Sequence, residues 1–348
     1  MDKPVYMLDE LVYPFDGQPE PGELISVAPG VFWLRMPLPI SLNHINLWLL
    51  EDSDGWTIVD TGIATEETKD LWRKIFDQKL HGKPVRKVIV THVHPDHIGL
   101  AGWLTRKWDV GLWMTRMEYL MCRNLVADSG EEAPIEGIRF YHAAGFDEDA
   151  LSVYRKRFGF YGSRIAPLPN AIHRIVDGQK ITIGGNEWNV VVGNGHSPEH
   201  ACLYCPALNI VISGDQILPH ISSNVSVRPV EPDENPLADW FNSCRMLITK
   251  LPADVLVLPS HGRPFHGAHV RLQQLIKEHE TSLEKLCEIC KEPKAAIDTF
   301  SALFNSEIDE KNLIIATGES LAHLHYLLAE GIVEVECNTH GVNMYHLV

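Results

Sequence analysis

The chain contains the stretch Thr91-His92-Val93-His94-Pro95-Asp96-His97. It directly follows Val85–Val90, a short β-branched run that predicts a buried strand. On an extended segment His92 and His94 project to the same side, and Asp96 and His97 then begin the next helix. Three imidazoles and one carboxylate would therefore share a small volume that could take two metal ions side by side. A solvated loop with Asp96 as a helix cap is the alternative, but four such residues at this spacing seldom occur by accident.

Three later positions can complete such a site, and each follows directly after a predicted strand. They are His196 in Gly193–Pro198, Asp215 in Ser213–Asp215 and His261 in Pro259–Gly262. A glycine beside each of them permits a tight turn or a close backbone approach. Taken singly, each is more readily explained as an ordinary loop histidine or turn aspartate. Taken together with the first stretch, they supply the roughly four nitrogen or oxygen ligands that each Zn²⁺ prefers.

The combined motifs resemble those of the metallo-β-lactamase-fold hydrolases, and within them the glyoxalase II-like branch. The matching segments are THVHPDH at 91–97, GHSPEH at 195–200, SGDQ at 213–216, LPSHG at 258–262, and the Asp-Thr-Gly signature at 60–62. This resemblance extends over roughly residues 24–265, and the segment beyond it is similar to a winged-helix domain found in some members. The resemblance implies an α/β (α+β) protein built as an αββα sandwich, with the site at one end of its two sheets.

The resemblance also implies a role for each candidate ligand. One metal would be held by His92, His94 and His196, and the second by Asp96, His97 and His261. Asp215 would bridge both, together with a water or hydroxide. The two divalent ions would be zinc foremost, with iron or manganese as alternatives. Asp60 would orient ligands from behind, although a role as a simple turn residue is an equal interpretation.

Composition limits the partners and the compartment. The 348 residues include 30 Lys and Arg against 46 Asp and Glu, which gives a net charge of −16. That charge disfavours nucleic acid as a partner, and we expect a small-molecule substrate. Hydrophobic residues make up 45% without a membrane-length apolar run, and the seven Cys are expected to be reduced thiols. We therefore expect a soluble, cytoplasmic protein that does not engage membranes, and a homodimer stays open.

The chain is predicted to have two parts. Residues 1–265 would form the catalytic domain, with 115–170 as a helical insertion or lid, and Thr115 with Glu118 matches the capping-box pattern at its first helix. Residues 266–348 would form a small helical, winged-helix-like domain. Its predicted elements are helices at Ala268–Cys290, Ala295–Phe304 and Ser320–Glu330, followed by strands at Val333–Glu336 and Asn343–Leu347.

The predicted reaction is hydrolysis of a thioester, of the acyl-CoA or acyl-glutathione type, or of a related ester by a metal-bridging hydroxide. Asp96 could orient the hydroxide, and His220 is the best candidate for a further catalytic contact with substrate. A thiolate leaving group with a pKa near ~8.5 departs without a dedicated acid. Arg155 and Arg157, with Tyr154 and Tyr161, could receive an anionic carrier, but a solvated helix face is the alternative for these cations.

Other readings of the same motifs stay open. A lactone or aryl ester hydrolase is one, although Leu218 stands where lactone-cleaving members commonly have Tyr. An iron-dependent sulfur dioxygenase would need only two His and one Asp on one iron. An RNA nuclease is opposed by the net charge, and a metal-binding regulatory protein without turnover would hydrolyse nothing.

Overall fold

The computed structural model describes residues 10–40 and 42–348. Within them, two mixed sheets form the centre of the molecule. The first has seven strands in the order β1 (Ile25–Ala28), β2 (Val31–Pro37), β3 (His44–Asp52), β4 (Gly55–Val59), β5 (Val85–Ile89), β6 (Leu112–Met114) and β7 (Ile172–Arg174). The second has six strands and runs from β13 to β8, with bounds β8 (Lys180–Ile183), β9 (Asn186–Gly193), β10 (His200–Cys205), β11 (Ile210–Gly214), β12 (Leu256–Pro259) and β13 (Phe265–His266).

Helices cover the outer faces of both sheets. In chain order they are α1 (Glu66–Gln78), α2 (Pro95–Ile98), α3 (Ala101–Trp108), α4 (Arg116–Ala127), α5 (Ile135–Ala143), α6 (Glu148–Arg157), α7 (Pro236–Lys250), α8 (Ala268–Ile289), α9 (Phe300–Leu303) and α10 (Leu313–Ala329). Two 3₁₀ turns lie at Phe160–Arg164 and Ala296–Thr299, and a terminal hairpin pairs β14 (Val333–Cys337) with β15 (Asn343–Leu347). No helix in these described ranges has the length and hydropathy to cross a membrane.

The alternation of side chains along the strands creates the layers. On β3, Leu47 and Leu49 pack outward against α1, whereas Trp48 and Leu50 pack inward between the two sheets. Strands buried on both faces in this way require helices on the outside of each sheet. The predicted αββα sandwich is therefore confirmed.

The predicted helical insertion is present as α4, α5 and α6. The helix predicted to begin at Asp96 and His97 is short: α2 ends at Ile98, and α3 follows from Ala101. Between them the backbone N–H of Leu100 donates to the carbonyl oxygen of Gly62 at 3.1 Å and does not continue the helix. The segment predicted as one helix at Ala295–Phe304 is likewise divided, into a 3₁₀ turn and α9.

The last long helix begins seven residues before the predicted start at Ser320. The helix continues through Gly318, which lies in its interior. A Cβ on Gly318 would lie 2.8 Å from the side chain of Ser226 and 3.0 Å from the carbonyl oxygen of Val227. The glycine therefore lets the segment 222–228 pack directly against α10.

The C-terminal segment shares its core with the second sheet. Leu272 of α8 and Leu324 of α10 belong to the same buried cluster as Trp240 of α7 and Val257 of β12. The predicted boundary after residue 265 lies inside β13. The two predicted units are thus continuous in their packing, and α10 reaches the site described next.

Candidate metal centre

The candidate ligands lie at one edge of both sheets. His92 follows β5, and His196, Asp215 and His261 follow β9, β11 and β12. In the second sheet β9, β11 and β12 run in the same direction, so their carboxyl ends meet at this edge. The structure thereby brings all seven predicted metal ligands together, although they come from four separate segments of the chain.

The ligand candidates form two adjoining clusters. The first cluster is His92, His94, His196 and Asp215, and the second is Asp96, His97 and His261. Within each cluster, the donor atoms all lie within 4.8 Å of one another. In the first, His92 Nε2 is 2.8 Å from His94 Nδ1 and 3.3 Å from His196 Nε2.

Asp215 lies between the two clusters and turns one oxygen toward each. Its Oδ2 is 3.6 Å from His196 Nε2 and 3.9 Å from His92 Nε2. Its Oδ1 is 3.4 Å from His97 Nε2 and 3.5 Å from His261 Nε2. The second cluster is closed by Asp96, whose Oδ2 is 3.4 Å from His261 Nε2.

These spacings fit donors that share an ion. Two atoms held at ~2.1 Å from one tetrahedral zinc ion are about 3.4 Å apart. Several of the nitrogen–oxygen distances are close to that value and long for hydrogen bonds. In addition, the buried atoms His97 Nε2 and Asp215 Oδ1 have no hydrogen-bond partner among the described residues. Buried polar atoms without a partner are costly, and a metal ion would satisfy both.

The electrostatics of the two clusters differ. Burial, together with neighbouring imidazoles, holds the pKa values of His92 and His94 well below the usual range. Burial also opposes charge on His97, but the nearby carboxylates outweigh it, Asp215 most strongly, and raise the pKa of His97 well above that range. Burial raises the pKa of Asp215, but the imidazoles of His97 and His261 outweigh it and hold that pKa well below the usual range. The carboxylates thus favour the charged form of the imidazole of His97 in the second cluster, whereas burial disfavours it for His92 and His94 in the first.

Asp60 holds the second cluster from behind. Its Oδ2 accepts a hydrogen bond from His97 Nδ1 at 2.8 Å, and its Oδ1 accepts one from the backbone N–H of Thr91 at 2.8 Å. The residue is buried and has a φ of 60°, which an aspartate tolerates better than most residues. This contact leaves His97 Nε2 directed at Asp215, as the predicted orienting role requires.

Glu118 is a residue of this site that the sequence reasoning placed elsewhere. The predicted capping box is wrong, because Thr115 makes no cap bond and instead donates to the carbonyl oxygen of Glu199 at 2.8 Å. The fully buried Glu118 carboxylate accepts from the backbone N–H of Val93 and of Glu199, each at 2.8 Å. It therefore joins the loop of His92 and His94 to the loop that follows His196. No spacing in the sequence could have indicated this.

The C-terminal helix supports the first cluster through a chain of hydrogen bonds. His196 Nδ1 donates to the carbonyl oxygen of Asn224 at 2.7 Å, and Asn224 Nδ2 donates to Glu319 Oε2 of α10 at 2.8 Å. Ser226 Oγ donates to the other amide atom of this side chain, Asn224 Oδ1, at 2.6 Å. Burial raises the pKa of Glu319 to about 7. Helix α10 thus contributes to the orientation of a ligand imidazole.

His200 supports Asp215 in a similar way. Its Nε2 accepts the backbone N–H of Asp215 at 3.1 Å, and burial lowers the pKa of this imidazole to about 3. Its ring fills the space next to Gly214, whose φ is 52°. The residue is visible in the GHSPEH motif, but its spacing alone does not separate a ligand from a supporting residue.

Of the predicted substrate residues, some lie at the site and others make contacts elsewhere in the chain. Tyr161 reaches the site, where its hydroxyl donates to the carbonyl oxygen of Val93. Arg155 pairs with Glu148 at 2.6 Å, and Arg157 donates to backbone carbonyl oxygens just before α10. Both cations are thus engaged within the chain.

Tyr154 and His220, also predicted to contact the substrate, pack against other aromatic side chains. The Tyr154 ring packs in a separate aromatic cluster with Tyr141, at 4.6 Å between ring centroids. His220 is exposed and bonds the hydroxyl of Tyr13 at 3.2 Å. It lies beside Gly262, directly after the candidate ligand His261, and a Cβ on Gly262 would be 3.9 Å from the His220 ring.

Comparisons with known proteins agree with this geometry. The Metallo-beta-lactamase superfamily profile matches residues 41–261, and the profile Metallo-beta-lactamase-like, C-terminal domain matches residues 283–348. The solved structure of a Beta-lactamase domain protein from Burkholderia ambifaria is 41% identical, with a TM-score of 0.89, and the match covers 97% of this chain and 98% of that one.

Two curated relatives are more distant. "Probable metallo-hydrolase YqjP" of Bacillus subtilis is 24% identical over 86% of this chain and 92% of its own length. "Acyl-coenzyme A thioesterase MBLAC2" of Homo sapiens is 25% identical over 69% of this chain and 81% of its own length. The predictions of a metallo-β-lactamase fold and of a metal-dependent hydrolase are confirmed, whereas the glyoxalase II-like branch and the winged-helix character stay predictions. The chain belongs to the metallo-beta-lactamase superfamily.

Proposed function

We propose that this chain is a dinuclear zinc-dependent hydrolase that cleaves small-molecule carboxylic thioesters. The observation that carries the proposal is the position of Asp215, whose two oxygens face the two clusters separately. A single-ion site would need only one of these sets. The nitrogen and oxygen donors, at spacings suited to tetrahedral coordination, favour zinc.

The residues would divide the work as follows. His92, His94 and His196 would hold one ion and Asp96, His97 and His261 the other, with Asp215 between them. Two divalent ions held there would polarise the scissile carbonyl and activate water near neutral pH. With 18% of its side chain accessible, against 11% for Asp215, Asp96 is the more exposed carboxylate of the site. It is therefore the group best placed to orient the attacking water and hold its proton.

A thioester is favoured by the chemistry of the leaving group. A thiolate with a pKa near ~8.5 leaves without protonation, whereas an amine needs an acid. The acyl-coenzyme A thioesterase relative supports the same class. Because Arg155 and Arg157 are engaged within the chain, the proposal does not rest on them as receptors of an anionic carrier.

A substrate panel tests the proposal on zinc-loaded protein. It compares acyl-CoA and acyl-glutathione thioesters with a lactone, an aryl ester and a β-lactam, and it counts metal per chain by elemental analysis. We expect two ions per chain and turnover of a thioester. Asp215→Ala should lose both, whereas Asp16→Ala, at an exposed position, should change neither. If the protein hydrolysed a lactone or an aryl ester but no thioester, the proposed substrate class would be rejected. A single tightly bound iron ion per chain would reject the dinuclear zinc centre.

A further inference from the structure

Arg228 is a cation at the edge of the first cluster that the function described so far does not use. Its Nη2 lies 3.5 Å from His94 Nε2, and its Nη1 lies 3.6 Å from the Met121 sulfur. Over residues 10–40 and 42–348, these are the polar contacts of its side chain, and no carboxylate oxygen pairs with it. Glu118 and Glu234 interact with Arg228 only at longer range. A half-buried guanidinium without a directly paired carboxylate can bind an added anion.

The backbone that carries Arg228 is held on both sides. The N–H of Val227 donates to the carbonyl oxygen of Gly318 on α10 at 3.0 Å. The carbonyl oxygen of Arg228 accepts from the N–H of Glu231 at 3.0 Å, which closes a turn containing Pro229. Because the backbone of this segment is fixed before a ligand binds, binding does not cost the conformational entropy of ordering it.

The two nitrogens of His94 face different neighbours. Nδ1 faces His92 Nε2 inside the first cluster, and Nε2 faces Arg228. If Nδ1 binds a metal ion, as the proposed function requires, the neutral ring carries its hydrogen on Nε2. A guanidinium also has only donors. The two groups then cannot bond each other, but a single oxygen atom could accept from both.

We propose that Arg228 and the Nε2–H of His94 form an anion subsite that binds an unreactive carboxylate carried by the acyl group of the substrate. The planar guanidinium matches a carboxylate in shape. Glu234 interacts electrostatically with both Arg228 and Glu231, so negative charge already lies near the guanidinium. This favours a monoanionic group over a doubly charged phosphate.

The methylene groups of such a substrate also have a surface to lie on. Met121 flanks the guanidinium, and Met117, with 46% of its surface exposed, lies one turn earlier on the same face of α4. Flexible thioether side chains suit an apolar chain of variable shape. The inferred class is therefore a thioester of a short dicarboxylic acid.

A binding experiment tests the subsite without turnover. Zinc-loaded wild type is titrated calorimetrically with succinate and with butyrate, which have the same chain length and differ in the second carboxylate. Loss of a charge-assisted contact corresponds to about 10- to 100-fold in affinity, so we expect at least a tenfold preference for succinate. Arg228→Gln should abolish the preference, Arg228→Lys should keep part of it, and Arg245→Gln, at an exposed position on α7, should keep all of it. Equal binding of the two acids by wild type would overturn the proposal.

A second experiment identifies the source of the anion. Succinyl and butyryl thioesters are compared on coenzyme A and on N-acetylcysteamine, which has no phosphate or carboxylate. A similar preference for succinyl on both carriers, lost in Arg228→Gln, supports the acyl carboxylate. If Arg228→Gln instead weakens every coenzyme A ester and spares the N-acetylcysteamine esters, the anion belongs to the carrier and the proposal is wrong. Arg228-dependent succinate binding without cleavage of any thioester would support the subsite and reject the proposed reaction.

Discussion

Glu118→Gln tests how the two ligand-bearing loops are held together. The Glu118 carboxylate is buried, and each of its oxygens accepts one backbone N–H, from Val93 and from Glu199. Glutamine has nearly the same shape but offers one oxygen and one NH₂ group. One of the two backbone N–H groups would then face another donor.

The cost of this change follows from two donors that would have no acceptor: one backbone N–H group and the NH₂ group of the glutamine that faces it. An unsatisfied buried donor costs about 1–3 kcal/mol, so two of them cost roughly 2–6 kcal/mol before the loops adjust. The loops can adjust only by moving His92 and His94 relative to His196, since Glu118 connects their backbones. Losing a partner that supports metal ligands typically lowers metal affinity about 10- to 100-fold, and we expect a loss in that range.

Competition for zinc with a chromophoric chelator measures the affinity directly. Melting temperatures with and without a chelator show how much of the stability comes from the metal. Glu136→Gln, at an exposed position in the first turn of α5, is the matched control and should behave as wild type. Wild-type zinc affinity in Glu118→Gln would refute the reasoning, because it would mean that the two loops keep their positions without this carboxylate.

Three further substitutions test separate parts of the site. Asp60→Asn removes the charge behind a ligand of the second cluster and should weaken metal binding by about 10- to 100-fold, with no such loss if Asp60 only shapes a turn. Burial raises the pKa of Glu319 from 4.5 to about 7, so its stabilising protonated form is lost as pH rises between these values. Relative to wild type, the melting temperature of Glu319→Gln should therefore rise by roughly 3 °C between pH 5 and pH 8.5, and a constant difference would contradict this. Gly214→Ala places a Cβ 2.5 Å from the His200 ring, whereas Gly178→Ala is a control at which φ is also positive but the space is open. Gly214→Ala should therefore lower the free energy of unfolding by about 1–3 kcal/mol more than Gly178→Ala. Equal losses in the two variants would show that the contact with His200 has no cost.

The candidate ligands could be brought together from the sequence because each lies in a short local pattern. The Val85–Val90 run predicts a strand, and the strand places His92 and His94 at its carboxyl end. Short apolar runs likewise predict the strands that precede His196, Asp215 and His261. These signals are local, and the chain obeys them.

The supporting contacts could not be predicted, because they join residues far apart in the chain. Glu118 bonds backbone groups 25 and 81 positions away, and Asn224 bonds Glu319, 95 positions later. A local pattern was misleading at one of these points: Thr115 and Glu118 match a capping box, yet the position of the Glu118 carboxylate is dictated by its tertiary contacts.

The bond between Asn224 and Glu319 has a consequence for the order in which the protein matures on the ribosome. All seven candidate ligands have been synthesised once residue 261 is added, but α10 ends at Ala329. A chain made from its N-terminus therefore carries its ligands for some time before Glu319 can hold Asn224 behind His196. An unfinished chain should retain metal weakly, and firm capture should coincide with the docking of the last helix.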